Sequence, residues 1–382
     1  MFIPEVKLQR AVAKVEGLLE ARGMVPVREL ASVAGLLVSF NLAMGDITRF
    51  YTRSMMMLIA EITEKWGWRA KMEVTQRVTE ELKFWKQNLG SLNGFRMRKE
   101  DKVMVLRRAE MFSDASEYLL GGAQFKGKEL VPGSSYQAAL SELEWAESST
   151  YRELRAIEEG IRVRGESLRG HLCRWGCDNW AAAQIVRLGS MKVKCHEVAK
   201  RIRGLARELE IELEPYWLSR DELQIQFCDG VSKDFDTADY KLSSEDFSGL
   251  AGQFGPFTTD FFASSSSYQF QPFYAKLPCS MAAGCDAFTA NWGALEFGFF
   301  HPPVGVIVRV VRYAEHCGAG GLLVVPDWPG SVFMVVIRSL EAAGKVRQVR
   351  RFRPWLESPP WLKSRTFQGT PKFDFLAFLY NF

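Results

Sequence analysis

The sequence predicts an α/β protein in three parts: a helical region over 1–100, a mixed sheet with flanking helices over 101–236, and a second α/β layer over 247–382. Three observations predict it. Apolar residues recur at helical spacing up to about residue 92. Short β-like runs then alternate with helical ones, which implies a sheet covered by helices. Past a polar, acidic stretch, "DFDTADYKLSSEDFSG", which reads as a linker, the aromatic content rises and short β-branched runs return.

The first part opens with "PEVKLQRAVAKVEGLLEARG", amphipathic and closed by a glycine. "VPVRELASVAGLLVSFNLAMG", "TRFYTRSMMMLIAEITEKWGW" and "TQRVTEELKFWKQNLG" complete the helical set. Met55, Met56 and Met57 invite a soft-metal reading. Consecutive residues point around a helix, however, so they are assigned to core packing.

In the second part, "KVMVLRRAEMFSDAS" reads as a strand ending at Asp114. Gly121–Gly122 and "FKGKEL" suggest an antiparallel meander. "SSTYRELRAIEEGI" opens with a Ser/Thr cap and carries an amphipathic helix. "LRGHLCRWGCDN" is a strand ending at Asp178, "WAAAQIVRLG" a short helix, and "KCHEVAKRIRGLARELE" a longer basic one. "IELEPYWL" is a strand, and "SRDELQIQFCDGVSK" ends helical. In the third part, "GLLVVP" and "FMVVI" read as short buried strands around the helical run "VGVIVRVVRYAEHC".

Composition bounds the function. A chain of 382 residues exceeds what one core usually holds. The hydrophobic fraction of 47% and charged fraction of 25% are ordinary for globular proteins and argue against long disorder. The net charge of +4 neither requires nor excludes a nucleic-acid partner. No apolar run approaches the length of a membrane span, and "MFIPEVKLQR" lacks a signal-peptide core. Seven irregularly spaced cysteines suggest reduced thiols and an intracellular location, cytoplasmic or nuclear.

Four acidic residues stand out by position: Asp114 and Asp178 at strand ends, Glu153 in the first turn of a helix, and Asp229 in the last helical segment. Together they could line one rim of a sheet. Close carboxylates repel, and divalent cations relieve that repulsion. Two Mg²⁺ ions about 4 Å apart can hold a water and a scissile phosphate for in-line displacement. Taken singly, three of them have a plainer role: Asp114 as a turn residue, Asp178 as a helix N-cap, Glu153 as a favourable charge at a helix N-terminus.

The same residues carry a resemblance. "FSDAS…GG", "SSTYREL", "CDN" and "IELEPYWLSRDELQIQFCDGVSK" resemble, in order, the ribonuclease H domain of DIRS-type retrotransposons, which use a tyrosine recombinase. "VPVRELASVAGLLVSFNLAMG…RFYTR" and "EELKFWKQNLGSLNG" are similar to the thumb- or connection-like segment after the polymerase palm of those elements. "FTTDFFAS…CDAFTANW…FFHPPVGVI…LLVVPDWPG" resembles their Dam-like methyltransferase region. The resemblance implies a ribonuclease H-like mixed sheet followed by a degenerate Rossmann-like methyltransferase domain. It implies Asp114, Glu153, Asp178 and Asp229 as catalytic residues holding two Mg²⁺ or Mn²⁺ ions. It also implies cleavage of the RNA strand of RNA–DNA hybrids. These elements usually carry an Asn and then "AD" before the last aspartate, where this chain has "QIQFCDG". No "YxDD" polymerase motif occurs. The chain therefore resembles the C-terminal part of such a reverse transcriptase, with a separate polymerase domain as its expected partner.

Dam-like enzymes carry a "[DN]PP[YWF]" loop, and this chain has "HPPV", His301 to Val304. Imidazole does not reproduce the amide geometry and Val stacks poorly on a base, so an inactive domain is expected, with Asp260 left near the old pocket. His171, Cys173, Cys177, Cys195 and His196 lack zinc-site spacing and read as structural. "GKVRQVRRFRPW", with Lys345, Arg347, Arg350, Arg351 and Arg353, is a candidate phosphate-contacting surface, or else a solvated basic helix end or tail. The basic helix "KVKCHEVAKRIRGLAR" is a second such surface. A non-catalytic nucleic-acid-binding or assembly module, and an active DNA adenine methyltransferase, are the alternatives to the nuclease.

Overall fold

The computed structural model describes residues 2–21, 23–94, 106–236, 240–294, 297–359, 361 and 368–381. The chain splits into two compact units. One comprises Met1–Ala115, Gly122–Ser134 and Ala146–Cys228, the other Ser116–Gly121, Ser135–Trp145 and Asp229–Phe382.

The first unit begins with four long helices: α1 (Glu5–Glu20), α2 (Val27–Ser39), α3 (Arg53–Trp66) and α4 (Gln76–Leu92). Their apolar stripes, among them Val15, Leu30, Leu37, Leu58 and Leu82, merge into one core. Trp85 is fully buried there, and its indole N–H donates to the Tyr51 carbonyl at 2.7 Å. Met55 is buried and Met56 packs against the same core, as expected of packing residues rather than ligands. Helix α4 runs past Gly90, the residue expected to stop it. Buried Glu81 accepts the N–H groups of Ser54 and Met55 at 2.8 and 3.0 Å. It thereby satisfies two of the orphan donors at the start of α3.

A six-stranded sheet, most of it in this unit, uses β1 (Arg107–Ala115), β2 (Leu119–Lys126), β3 (Glu129–Leu130), β4 (His171–Cys177) and β5 (Glu212–Trp217) in the order β3-β2-β1-β4-β5, with the short strand Tyr136–Ala139 paired to β2 off that path. Residues 102–105 of the expected first strand lie outside the described residues. β3 is antiparallel to β2, whereas β1, β4 and β5 are parallel neighbours. Parallel strands need crossovers, and α5 (Ser149–Leu168), α6 (Trp180–Leu188) and α7 (Val193–Glu208) provide them, with α8 (Leu223–Lys233) last. Ser148 caps α5 by accepting the Tyr151 N–H. Such a cap is worth about 1 kcal/mol. The hairpin turns at Gly127, whose φ of +65° suits glycine. Gly121 and Gly122 instead lie within β2. A Cβ at Gly121 would stand 2.6 Å from the Ser232 nitrogen, so close backbone approach, not a turn, requires that glycine.

The second unit holds α9 (Ser244–Phe254), β6 (Thr259–Ala263), β7 (Phe273–Ala275), β8 (Gly284–Cys285), β9 (Phe297–Phe300), α10 (Ile307–Cys317), β10 (Gly320–Pro326), α11 (Val332–Ala342), β11 (Val346–Phe352) and β12 (Phe375–Asn381). The sheet order is β8-β7-β6-β9-β10-β12-β11, parallel as far as β10, with β12 antiparallel to both neighbours. Two expectations are corrected. "FMVVI" lies in helix α11: Ser331 caps it, and Phe333, Met334, Ile337 and Leu340 form a helical stripe. Its β-branched run is too short to overrule that period. The expected linker is partly structured, because Lys241–Leu242 pairs with Leu356–Glu357 and Ser243 caps α9. Residues 237–239 of that stretch lie outside the described residues. Among the described residues, no helix is long and apolar enough to cross a membrane.

Candidate metal centre

Asp114 is the penultimate residue of β1, and Asp178 follows the last residue of β4. The two strands are parallel neighbours in register from Arg107↔His171 to Phe112↔Gly176, so their ends open on the same rim. Gly176 makes room there, since a Cβ would stand 2.6 Å from the Phe112 ring. Between the strands, the buried Trp175 indole donates to Ser113 Oγ at 2.9 Å. The two aspartates thus sit on a braced pair of central strands.

Glu153 comes to the same rim from α5. It lies one turn further into the helix than expected: the first turn carries no acid. A helix-terminal charge role is therefore excluded for it. The N-cap of α6 is Asn179, whose side chain accepts the Ala182 N–H at 3.0 Å, so the capping role is not Asp178's. With its plainer role removed, Asp178 stands with Asp114 and Glu153 in a group in which one carboxylate oxygen from each lies within 4.8 Å of the others.

The electrostatics are those of a site waiting for positive charge. Burial, then Asp114 and Asp178, push the Glu153 carboxyl well above its usual range. Glu153 Oε1 accepts the Ala115 N–H at 3.3 Å, while Oε2 is buried without a hydrogen-bond partner. A buried carboxylate oxygen left unpaired is costly, and an oxygen-preferring divalent cation fits this donor set of three hard ligands. Arg220 reaches the group from the basic side: its Nε donates to Asp178 Oδ2 at 2.5 Å. Trp217, half exposed, donates its indole N–H to the Asp178 carbonyl at 3.0 Å. Neither Arg220 nor Trp217 was singled out by sequence. Both sit in "YWLSRDE", Trp217 closing β5 and Arg220 in the turn after it, and only their place on the rim gives them meaning.

Asp229 is not a member of this group. It lies in α8 and pairs with Lys233 at 2.5 Å. The five basic residues of the C-terminal block lie on or beside β11, an edge strand rather than a helix end or tail. Lys345 pairs with Glu315, Arg351 with Asp327 and Asp374, and Arg353 with Asp374. Arg350 lies over the Phe352 ring, and Arg347 is exposed. Cys173 and Cys177 are buried, with thiols pushed up to about 12 chiefly by burial. His196 is buried against Phe50 and Glu81. These are structural roles, and no zinc-type group occurs among the described residues.

In the second unit a cavity of about 490 Å³ opens at the C-terminal ends of β6, β7 and β9, lined among others by Phe262, Ser264, Tyr274, Asp286 and His301. Strand order reverses between β6 and β9, the usual place for a ligand crevice in an open α/β sheet. Asp260 does not line it. It is the second residue of β6, accepts the Gln269 N–H at 2.9 Å, and is raised to about 7 by burial. Burial lowers His301 to about 4.

No protein-family profile matches the chain, and no curated protein sequence matches it. Similar solved structures include ribonuclease H1 of the halophilic archaeon Halobacterium salinarum NRC-1, at 11% identity and TM-score 0.27, covering 32% of this chain and 93% of that one. The N-terminal ribonuclease H domain of a Mycobacterium tuberculosis protein, solved as a fusion with maltose-binding protein, is 12% identical with TM-score 0.26, covering 33% of this chain and 97% of that one. A foamy viral protease-reverse transcriptase in complex with an RNA/DNA hybrid is 11% identical with TM-score 0.24. That likeness covers 56% of this chain and 27% of the viral one. The chain is a mixed α/β protein, and its structural neighbours include ribonuclease H domains.

Proposed function

We propose that the chain is a metal-dependent endonuclease of the ribonuclease H type that cuts the RNA strand of RNA–DNA hybrids. The observation that carries this reading is the meeting of Asp114, Glu153 and Asp178 within 4.8 Å on one sheet rim, with a buried Glu153 oxygen lacking a partner. Two Mg²⁺ or Mn²⁺ ions held there would supply the Lewis acidity and water activation for in-line phosphodiester hydrolysis. The chain's own residues do the positioning. Asp114 and Asp178 are fixed by paired strands, which set ligand atoms more tightly than loops do. Glu153 is held from the helix side by the Ala115 N–H. Trp217 steadies the Asp178 backbone, and its exposed ring offers a stacking face to nucleic acid.

The ordered motifs shared with DIRS-type retrotransposons support an origin in the C-terminal part of such a reverse transcriptase, acting beside a separate polymerase domain. The division into 1–100, 101–236 and 247–382 is part of the same proposal, with the last part a degenerate methyltransferase that transfers no methyl group. His301 and Val304, in place of an amide or acid and an aromatic, support that. A second reading, a non-catalytic nucleic-acid-binding module, draws on Asp229, which stands outside the carboxylate group. Incubating the full chain with a hybrid labelled on either strand, with Mg²⁺ or with a chelator, separates the two. The nuclease reading predicts Mg²⁺-dependent products from the RNA strand alone, and the second reading predicts a retained, uncut hybrid.

A further inference from the structure

We propose that Arg220 is a displaceable counter-ion of the carboxylate cluster that divalent cations release to grip the nucleic-acid backbone. The inference rests on the metal-site reading above. Asp178 is nearly closed off, its side chain 4% exposed, yet its partner Arg220 is 85% exposed. The guanidinium reaches in from solvent and holds one carboxylate oxygen through Nε. It comes from the turn between β5 and α8, "LSRDE", which is anchored by the Leu218 N–H on the Cys177 carbonyl at 3.0 Å. The root is therefore anchored while the side chain lies largely in solvent.

The Arg220 guanidinium carries one positive charge against three carboxylates. Arg220 offsets part of the repulsion, and it also lowers the burden on Glu153. A divalent cation bound by Asp178 would repel the guanidinium and compete for the same oxygen. An ion pair with so exposed a partner is weak enough to lose that competition. Once released, the planar fork of donors suits a phosphate, which it can hold bidentately. Its place beside Asp178 puts that grip next to the bond to be cut. Arg220 is thus a positioning residue, and cation occupancy and backbone binding become coupled through it.

The test uses the full chain with Arg220→Gln and Arg220→Lys. Mn²⁺ alone is titrated first. Arg220→Gln should bind it about threefold to tenfold more tightly than wild type, because the competitor is gone. Hybrid binding is then measured with Ca²⁺, whose looser coordination slows turnover. Arg220→Gln should weaken it, with a salt slope reduced by about 1, the mark of one lost phosphate contact. Arg220→Lys should restore the slope. With a chelator in place of Ca²⁺, wild type and Arg220→Gln should bind the hybrid alike. Equal Mn²⁺ affinity in wild type and Arg220→Gln would overturn the proposal while leaving the metal site standing. No Mn²⁺ binding in either would overturn the metal site and this inference together.

Discussion

Glu153 and Glu158 lie five residues apart on α5, both buried, and their surroundings are opposite. Glu158 is clamped by Arg155, Arg162 and Arg201 at 2.7 to 3.0 Å. Burial alone would raise its carboxyl, but the guanidiniums of Arg201, Arg155 and Arg162 outweigh that and hold it at about 2. Glu153 has burial and two aspartates against it, one backbone N–H for it, and an oxygen without a partner. Carboxylates buried for structure find their partners inside the protein, as Glu158 does in its arginines and Glu81 in two backbone N–H groups. A carboxylate buried among other carboxylates leaves the cation to come from solution. That contrast, more than the count of acids, marks the candidate site.

The sharpest way to break the contrast is Asp178→Asn. The amide keeps the shape and loses the charge that holds a cation. Hybrid cleavage should fall more than about a hundredfold, beyond the loss typical of a supporting group around a metal, with circular dichroism unchanged. Cleavage at the wild-type rate would place the activity elsewhere. Glu158→Gln should do the reverse. It removes charged hydrogen bonds to three arginines, so urea unfolding should show a loss of about 2–3 kcal/mol. Mn²⁺ affinity should stay within about twofold. A large loss of Mn²⁺ binding in this variant would mean that the two glutamates are not separate systems.

The pH dependence sharpens the comparison further, because the two shifts have opposite sign. Glu158 is lowered, so its contribution to stability is present above the ordinary glutamate value of 4.5 and is lost as pH falls toward about 2. Glu153 is raised, so its contribution is complete below 4.5 and is lost as pH rises through its raised value. Each unit of such a shift corresponds to about 1.4 kcal/mol. Chelated protein should therefore lose stability on both sides. Glu158→Gln should flatten the acid limb and Glu153→Gln the upper one, read from denaturation midpoints across pH. Added Mg²⁺ should flatten only the upper limb. The smallest effect is expected at Asp229. Standing outside the group and paired with Lys233, it should cost less than about tenfold in cleavage when changed to Asn, well short of Asp178→Asn. An equal loss in the two variants would restore it to the reacting set.

The strand ends at Asp114 and Asp178 were legible because a carboxylate closing an apolar run is conspicuous. Their convergence was not, since it depends on the parallel β1–β4 register, a long-range pairing. The Ser148 cap of α5 was visible, but the exact turn holding Glu153 was not, because caps fix a helix start only to within a residue or two. "FMVVI" misled because periodicity cannot separate a short apolar strand from a buried helix segment. The linker reading followed polarity and missed that Ser243 with Glu245 and Asp246 opens a helix. Arg220 carried no sequence signal, for one arginine among 49 basic residues is unremarkable until it reaches a buried aspartate.

The most direct measurement of the central claim is an Mn²⁺ titration of the full chain, followed by calorimetry, for wild type and Asp178→Asn side by side. The account predicts saturable binding in wild type, and binding at least about tenfold weaker in the variant at unchanged fold. Two indistinguishable isotherms, or no saturable binding in wild type, would contradict it.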